Sequence, residues 1–218
     1  MNVPSATDLL RTQRRVFKGF RLFATCDTDM PPGSNTQPTI LAANHRSLAD
    51  LFLAASLLHV WKWPVRPLVA GSYFEKPLIG TLLRRLGAIP VTGSDAIEKA
   101  SEVLASGVSV AVMPEGRVVR PEEWKPTGVG TPRIGVAKLA IETRCPVLLI
   151  GVAGTEELWP RGQLLPKFTP WKRTKLVVRL KSLGTVEESD PEVALNQIWS
   201  GVQEMVEKAD SERHTTKN

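Results

Sequence analysis

Two side chains that follow a short apolar run, His45 and Asp50, have the types and spacing needed to move a proton. An imidazole can take up and return a proton near neutral pH, and a carboxylate beside it fixes its tautomer and stabilises its protonated form. Ser47 is typical of a helix N-cap, which places Asp50 in the first helical turn, facing back toward His45. The spacing therefore predicts a general base and its orienting partner.

The same residues also have a purely structural interpretation. Ser47-Leu48-Ala49-Asp50 is a variant capping box with Asp in place of Glu. In that interpretation Asp50 serves only the start of the helix, and His45 is a loop histidine bonded to backbone. The spacing alone leaves both alternatives open.

A second candidate site lies about seventy residues further along the chain, where Glu115 and Gly116 are followed by Arg117 and Arg120. Glycine permits close approach of a ligand, and the planar guanidinium of arginine matches a phosphate group. Glu115 can hold an arginine in place or accept a hydrogen bond from a hydroxyl. This pattern predicts an anion pocket, and the alternative is a solvated charged turn.

The elements around these residues alternate between strand and helix, which predicts a single α/β domain with a mixed, mostly parallel sheet flanked by helices. In such sheets ligands bind at the carboxyl ends of the strands, where both candidate loops fall. Strands are predicted at 38–43, 67–70, 88–91, 108–113, 147–152 and 176–180. Helices are predicted at 48–60, 77–86, 96–105, 134–143 and 191–208. The domain is expected to cover 36–210, with a frayed tail at 211–218.

The first thirty residues form a basic amphipathic segment, with a predicted helix over 8–24 and a linker at 31–35. The apolar side chains that share one helical face are Leu9, Val16, Phe17, Phe20 and Phe23. The cations on the opposite face are Arg11, Arg14, Arg15, Lys18 and Arg21. Such a helix packs on a domain surface or lies in a membrane interface with its aromatic face toward the lipid. An arm that binds nucleic acid is a further alternative.

The overall charge favours a polyanionic partner, because 28 Lys and Arg outnumber 22 Asp and Glu and give a net charge of +6. Indole rings stand beside cations at Trp61-Lys62-Trp63, Trp124-Lys125 and Trp171-Lys172-Arg173. These pairs are typical of anchors at a lipid interface, of ordinary core or rim residues, or of platforms that stack bases. The alternatives for the partner are therefore an anionic membrane, a nucleic acid and a phosphorylated substrate.

Several classes of protein are excluded. No apolar run approaches the roughly 20 residues of a spanning helix. No apolar h-region follows Met1, so a secretory signal is not expected. Cys26 and Cys145 are far apart and outside any metal-ligand spacing, which favours a reducing cytoplasm. Neither a P-loop nor a dinucleotide fingerprint is present. The best match to a nucleophile elbow, at 107–111, lacks its second glycine, which disfavours an esterase.

Three sequence blocks and their order along the chain resemble those of the glycerolipid acyltransferases. They are most similar to the blocks of the 1-acyl-glycerol-3-phosphate (lysophosphatidate) acyltransferases. The blocks are Asn44-His45-Arg46-Ser47-Leu48-Ala49-Asp50, Pro114-Glu115-Gly116 and Cys145-Pro146-Val147. The segment 130–140 is similar to the one that follows the Glu-Gly block in that family, and the resemblance covers about 39–160.

The resemblance implies a glycerol-3-phosphate acyltransferase-like fold and transfer of a fatty acyl group to the free hydroxyl of a lysophospholipid. The donor would be a thioester of coenzyme A or of acyl carrier protein. The acceptor would be 1-acyl-glycerol-3-phosphate, and the product phosphatidate. His45 would be the base and Asp50 its partner, while Glu115, Gly116, Arg117 and Arg120 would bind the acceptor phosphate. Neither a metal nor an organic cofactor is implied, and the expected place is the cytoplasmic face of an anionic membrane.

Two departures from the family pattern concern the phosphate-binding arginines. The Glu-Gly-Thr-Arg block of the family reads Glu115-Gly116-Arg117-Val118-Val119-Arg120 here, and Gly93 stands near the place of another family arginine. Arg84, Arg85 and Arg133 are further cations available to such a pocket. A basic α/β domain that binds nucleic acid or anionic membranes without catalysis is the alternative function.

Overall fold

The computed structural model describes residues 4–31, 37–169 and 171–215, and within these ranges seven strands form one sheet with helices on both faces. The strands are β1 (Ala24–Thr28), β2 (Ile40–Ala43), β3 (Val65–Ala70), β4 (Ile89–Val91), β5 (Ser109–Val112), β6 (Val147–Ala153) and β7 (Thr174–Gly184). The α-helices are α1 (Ala6–Phe20), α2 (Ala49–Trp61), α3 (Pro77–Arg85), α4 (Ala96–Ala105), α5 (Pro121–Trp124), α6 (Gly135–Thr143), α7 (Thr155–Leu158) and α8 (Pro191–Thr215), and a 3₁₀ helix spans Gly71–Glu75.

The strand order is β1-β7-β6-β2-β5-β3-β4, and every neighbouring pair is parallel except β6 with β7. The expected α/β domain with a mixed, mostly parallel sheet is therefore confirmed. β2 lies at the centre with β5 and β6 as its direct partners. As a result, the loops that follow β2 and β5 emerge side by side at one edge of the sheet.

The core consists of two apolar layers, one on each face of the sheet. Along β2, Ile40 and Ala42 join the layer under α4, α6 and α8, whereas Leu41 joins the layer under α2. Neighbouring residues of a strand point to opposite faces, so this short apolar run serves both layers at once. The burial of β2 on both faces fixes the position of the loop that follows it.

The amphipathic helix α1 lies against α2. Gln13 is buried, and the ring of Phe17 stands 5.2 Å from that of His59 on α2. Phe20 and Phe23 pack against the apolar layer beneath α2. The aromatic side chains of this segment therefore contact the domain, and its place in a membrane interface stays a prediction.

Two predictions for the chain termini need correction. The first helix ends at Phe20 rather than Ala24, and Ala24–Thr28 is an edge strand parallel to β7. Three of its five residues are exposed, so it lacks the apolar alternation that would have revealed it. The proposed linker at 31–35 falls almost wholly outside the described residues.

At the other end, α8 continues to Thr215 instead of fraying from Ser211. Arg213 is buried, donates from Nε to the backbone oxygen of Lys175 at 2.9 Å and pairs with Glu157, which holds the last turns on the sheet. Residues 216–218 lie outside the described chain. No helix in the described ranges has the length and apolar character to cross a membrane.

We predict that Gly151→Ala will lower stability by about 1–3 kcal/mol, because added atoms in a packed core force the backbone to shift. A Cβ at Gly151 on β6 would lie 2.1 Å from the carbonyl carbon of Met205 on α8. Gly19→Ala on α1 is the matched control, since a Cβ there meets nothing within 4 Å. Thermal melting should show a clear loss for the first variant and none for the second. Equal melting temperatures would contradict the close approach of α8 to β6.

Candidate active site

His45 and Asp50 come together at the carboxyl edge of the sheet. His45 follows β2, Asp50 lies in the first turn of α2, and Nδ1 of the imidazole is 2.8 Å from Oδ2 of the carboxylate. The Asp50 side chain is only 2% exposed, whereas His45 is 20% exposed. An ionised carboxylate can only accept a hydrogen bond, so Nδ1–H is the donor in this contact. In the neutral imidazole the lone pair is then on Nε2. No described residue bonds to Nε2, so it is free to contact a substrate.

Asp50 also supports the start of α2. Its Oδ2 accepts the backbone N–H of Ser47 at 3.0 Å, and Oδ1 is buried without a hydrogen-bond partner among the described residues. The Ser47 hydroxyl accepts the N–H of Ala49 at 3.1 Å and donates to the backbone oxygen of Trp159 at 2.8 Å. One carboxylate oxygen therefore contacts both the loop backbone and the imidazole, so the contacts that the two sequence interpretations of Asp50 require are both present.

Glu115 lies at the end of β5 and faces inward, with 3% of its surface exposed. Its Oε2 accepts the backbone N–H of His45, and its Oε1 accepts that of Gly130 at 2.7 Å. Burial raises the pKa of this carboxyl, and the two N–H bonds oppose the rise because they stabilise the charged form. Both oxygens of Glu115 hold the backbone of the site, and its binding of an arginine or of the acceptor stays a prediction.

The arginines near Gly116 differ in the groups that they contact. Gly116 has a φ of 69°, and a Cβ there would lie 2.9 Å from Nε of Arg133. The Arg133 side chain therefore lies over Gly116, and no carboxylate in the described chain pairs with it. Arg117 is hydrogen-bonded to Glu123, which raises its pKa, and Arg120 lies 3.9 Å from the same carboxylate. The structure thus brings Arg133 onto the Gly116 turn and sets Arg117 and Arg120 in an exposed ion-pair group.

Asn44, like Glu115, holds the backbone of the site, and its role was not predicted from the sequence. Its side-chain amide donates to the backbone oxygen of Val152 at 3.0 Å and accepts the N–H of Val152 at 2.8 Å. The side chain is 1% exposed. It therefore continues the pairing of β2 with β6 beyond the last backbone pair and holds the residue before His45.

Arg46, directly after His45, is 2% exposed and was also missed. Its guanidinium donates to the backbone oxygen of Gly128 at 2.6 Å and to Asp210 of α8 at 2.7 Å. The Trp124 ring lies 4.2 Å from its Cζ. A buried arginine needs such a complete set of partners, all of them distant in sequence, so no local pattern could have revealed this role.

The three Trp–cation pairs of the sequence separate into two kinds. Trp61 and Trp63 are core residues at 7% exposure, and Trp124 lies against Arg46. Trp171 is 89% exposed. Only the last pair therefore has the exposure that an interfacial anchor requires.

An apolar cavity of about 370 Å³ lies between α1, β1 and α2. Its walls include Phe20, Leu53 and Leu57, and Arg21 and Arg173 also line it. Leu53 is one helical turn beyond Asp50. In the described ranges no group of three or more His, Cys, Asp or Glu is arranged to hold a metal ion.

Comparison with known proteins identifies relatives of both the sequence and the fold. The 1-acyl-sn-glycerophosphate (LPA) acyltransferase PlsC from Thermotoga maritima has the same fold, with a TM-score of 0.64 over 91% of this chain and 78% of that one at 20% identity. An uncharacterized protein of Mycobacterium leprae is 28% identical over 137 residues, which are 58% of this chain. The chain spans 35% of the length of that relative.

The family model for acyltransferases matches residues 26–153, which is more than half of the chain. This range contains β2, β5 and β6 and both loops of the candidate site. The match agrees with the resemblance drawn from the motifs and with the shared fold. The chain belongs to the acyltransferase family.

Proposed function

We propose that the chain transfers a fatty acyl group from a thioester to the free hydroxyl of a lysophospholipid, with 1-acyl-glycerol-3-phosphate as acceptor and phosphatidate as product. The observation that carries this proposal is the 2.8 Å contact between His45 and Asp50 with Nε2 left free. Membership of the acyltransferase family and the fold shared with PlsC support acyl transfer to a glycerolipid. The donor is acyl-CoA or acyl carrier protein.

In the proposed reaction Nε2 of His45 removes the proton of the acceptor hydroxyl as its oxygen attacks the thioester carbonyl. Asp50 holds the Nδ1 proton and stabilises the imidazolium that forms. The tetrahedral intermediate then collapses, the carbon–sulfur bond breaks, and the leaving sulfur takes the proton from Nε2. The products are the new ester and a free thiol, and His45 returns to its starting form.

The acceptor phosphate is proposed to bind over the Gly116 turn, with Arg133 as the main cation. Arg133 has no carboxylate to compensate it in the described chain, whereas Arg117 and Arg120 share Glu123. Arginine matches the geometry of a phosphate with paired N–H groups. Arg117 and Arg120 then form the outer rim of the acceptor site and add a weaker, screened attraction.

The apolar cavity beside α2 is the proposed place for an acyl chain, because one of its wall residues, Leu53, lies one helical turn beyond Asp50 on α2. We further propose that the protein works on the cytoplasmic face of the membrane. Its cysteines, Cys26 and Cys145, are both free thiols, in keeping with a reducing compartment.

The proposed function predicts thiol release when the purified protein is given acyl-CoA and 1-acyl-glycerol-3-phosphate together, with phosphatidate detected by mass spectrometry. Omission of the acceptor should abolish most of the release. Asp50→Asn should lower kcat by as much as about 10⁴-fold, because Asn cannot stabilise the imidazolium and favours the wrong tautomer. His45→Ala should be equally inactive.

The matched control is Ser47→Ala, which removes the hydroxyl contacts to Ala49 and Trp159 but leaves the His45–Asp50 contact. It should lose about 0.5–2 kcal/mol of stability, as for other caps, and keep kcat within a few-fold. If Asp50→Asn instead keeps most of its turnover and melts earlier, as Ser47→Ala does, Asp50 is only a cap and the proposed pair is wrong.

For the acceptor phosphate, Arg133→Ala should raise the acceptor KM about tenfold to a hundredfold and leave the donor KM unchanged, since a charge-assisted hydrogen bond is worth roughly 1.5–3 kcal/mol. Arg117→Ala is the matched variant: both arginines are exposed, but Arg117 is already paired with Glu123, so its loss should give a much smaller rise. Steady-state kinetics with each substrate varied in turn measures both constants. A larger effect for Arg117→Ala would assign the phosphate to the Arg117 turn instead.

A further inference from the structure

The loop between α7 and β7 carries four large apolar side chains that are more than half exposed, and two of them are the most exposed of this kind in the described residues. Leu164 is 93% exposed, Trp171 is 89% exposed and Leu165 is 75% exposed, and Phe168 follows at 57%. Exposed apolar side chains gathered in one segment mark an interaction surface, whereas single ones are ordinary. This loop therefore needs a partner that the described chain does not supply.

The charge of the loop is of one sign. From Trp159 to Lys175 the sequence contains five Lys and Arg and no Asp or Glu: Arg161, Lys167, Lys172, Arg173 and Lys175. We call the exposed side chains Leu164, Leu165, Phe168 and Trp171, together with Lys167 and Lys172, the loop patch. A surface that combines aliphatic groups, indole and cations fits a partner that offers both an apolar phase and negative charge.

The loop patch is held in place by specific contacts. The Phe168 ring lies 5.0 Å from that of Phe23, and Arg173 donates to the backbone oxygen of Arg21 at 3.1 Å. The N–H of Lys172 bonds to the oxygen of Thr169 at 2.9 Å, which closes a turn around Trp171. These contacts tie the loop to the beginning of β1 while its apolar tips remain in solvent.

The same loop begins beside the candidate site. Trp159 accepts the Ser47 hydroxyl at 2.8 Å and stacks on Phe52 of α2 at 5.9 Å between ring centroids. The N–H of Lys167 bonds to the backbone oxygen of Leu158 at 2.8 Å. Trp159 therefore connects the loop patch to the loop that carries His45. A partner that binds the loop patch would lie near the candidate site.

We propose that the loop patch docks the protein on an anionic phospholipid bilayer, which brings the His45 edge to its lipid substrate; only this last step rests on the proposed function. Leu164 and Leu165 enter the apolar boundary, Trp171 lies at the headgroup level, and Lys167 and Lys172 face lipid phosphates. Aliphatic side chains gain from an apolar phase and offer no platform for a base, which favours lipid over nucleic acid. Phe17, Phe20 and Phe23 of the N-terminal segment contact the domain, whereas the apolar tips of the loop patch are free to meet lipid.

The test measures partition of the full chain onto vesicles of equimolar phosphatidylglycerol and phosphatidylcholine by flotation. The double variant Leu164→Ser/Leu165→Ser should partition at least a hundredfold more weakly, because two leucines no longer enter the apolar phase. Leu78→Ser is the matched control: Leu78 is 86% exposed on α3, which leads into β4 at the opposite edge of the sheet. It should partition like the original chain.

A second variant tests the charge. Lys167→Gln/Lys172→Gln should reduce partition onto the anionic vesicles about 25-fold, because each cation near such a surface contributes about fivefold. The loss should shrink in high salt and vanish on vesicles of phosphatidylcholine alone. Melting temperatures of all variants should match the original chain, since the exchanged side chains are exposed.

Unchanged flotation of both double variants, or an equal loss in Leu78→Ser, would overturn the proposal. Loss of binding to a single-stranded oligonucleotide or to acyl carrier protein, with flotation intact, would assign the loop patch to that partner and also overturn it. Thiol release with a short-chain, water-soluble acceptor separates the two proposals. If the original chain shows no such release and flotation still falls as expected, the docking surface stands and the proposed function fails.

Discussion

The position of His45 depends on the buried carboxylate of Glu115, which holds two loops of the site by their backbones. One oxygen accepts the N–H of His45 after β2, and the other accepts that of Gly130 in the segment before α6. A buried carboxylate is costly unless it is hydrogen-bonded, so a change in either loop leaves a charge or an N–H group unsatisfied. The rest of the site is built around this constraint.

The residues around His45 extend the same principle. Asn44 is fixed to β6, Arg46 to α8 and the Gly128 backbone, and Ser47 to the loop that follows α7. The three side chains that flank His45 therefore bond to four different parts of the fold. The loop around His45 is therefore held from the sheet, from α8 and from the loop before β7, which places a short motif within the whole domain.

Local patterns predicted most of the fold, because buried strands and amphipathic helices repeat their apolar residues with a characteristic spacing along the sequence. The pairing of His45 with Asp50 was also predictable, since both lie on one short loop and helix turn. β1 was missed because its five residues lack an apolar alternation. The roles of Glu115 and Arg46 were hidden because their partners lie far away in sequence and become neighbours only through the sheet order.

The most direct test of this account is the kcat of Glu115→Gln, measured with both substrates at saturation. Glutamine offers one acceptor oxygen and opposes the other backbone N–H with an NH₂ group, so His45 should shift and kcat should fall about a hundredfold, as for small misplacements of a catalytic group. The KM values for donor and acceptor should change little. Full kcat with only a lower melting temperature, or a raised acceptor KM at unchanged kcat, would contradict the positioning role of Glu115.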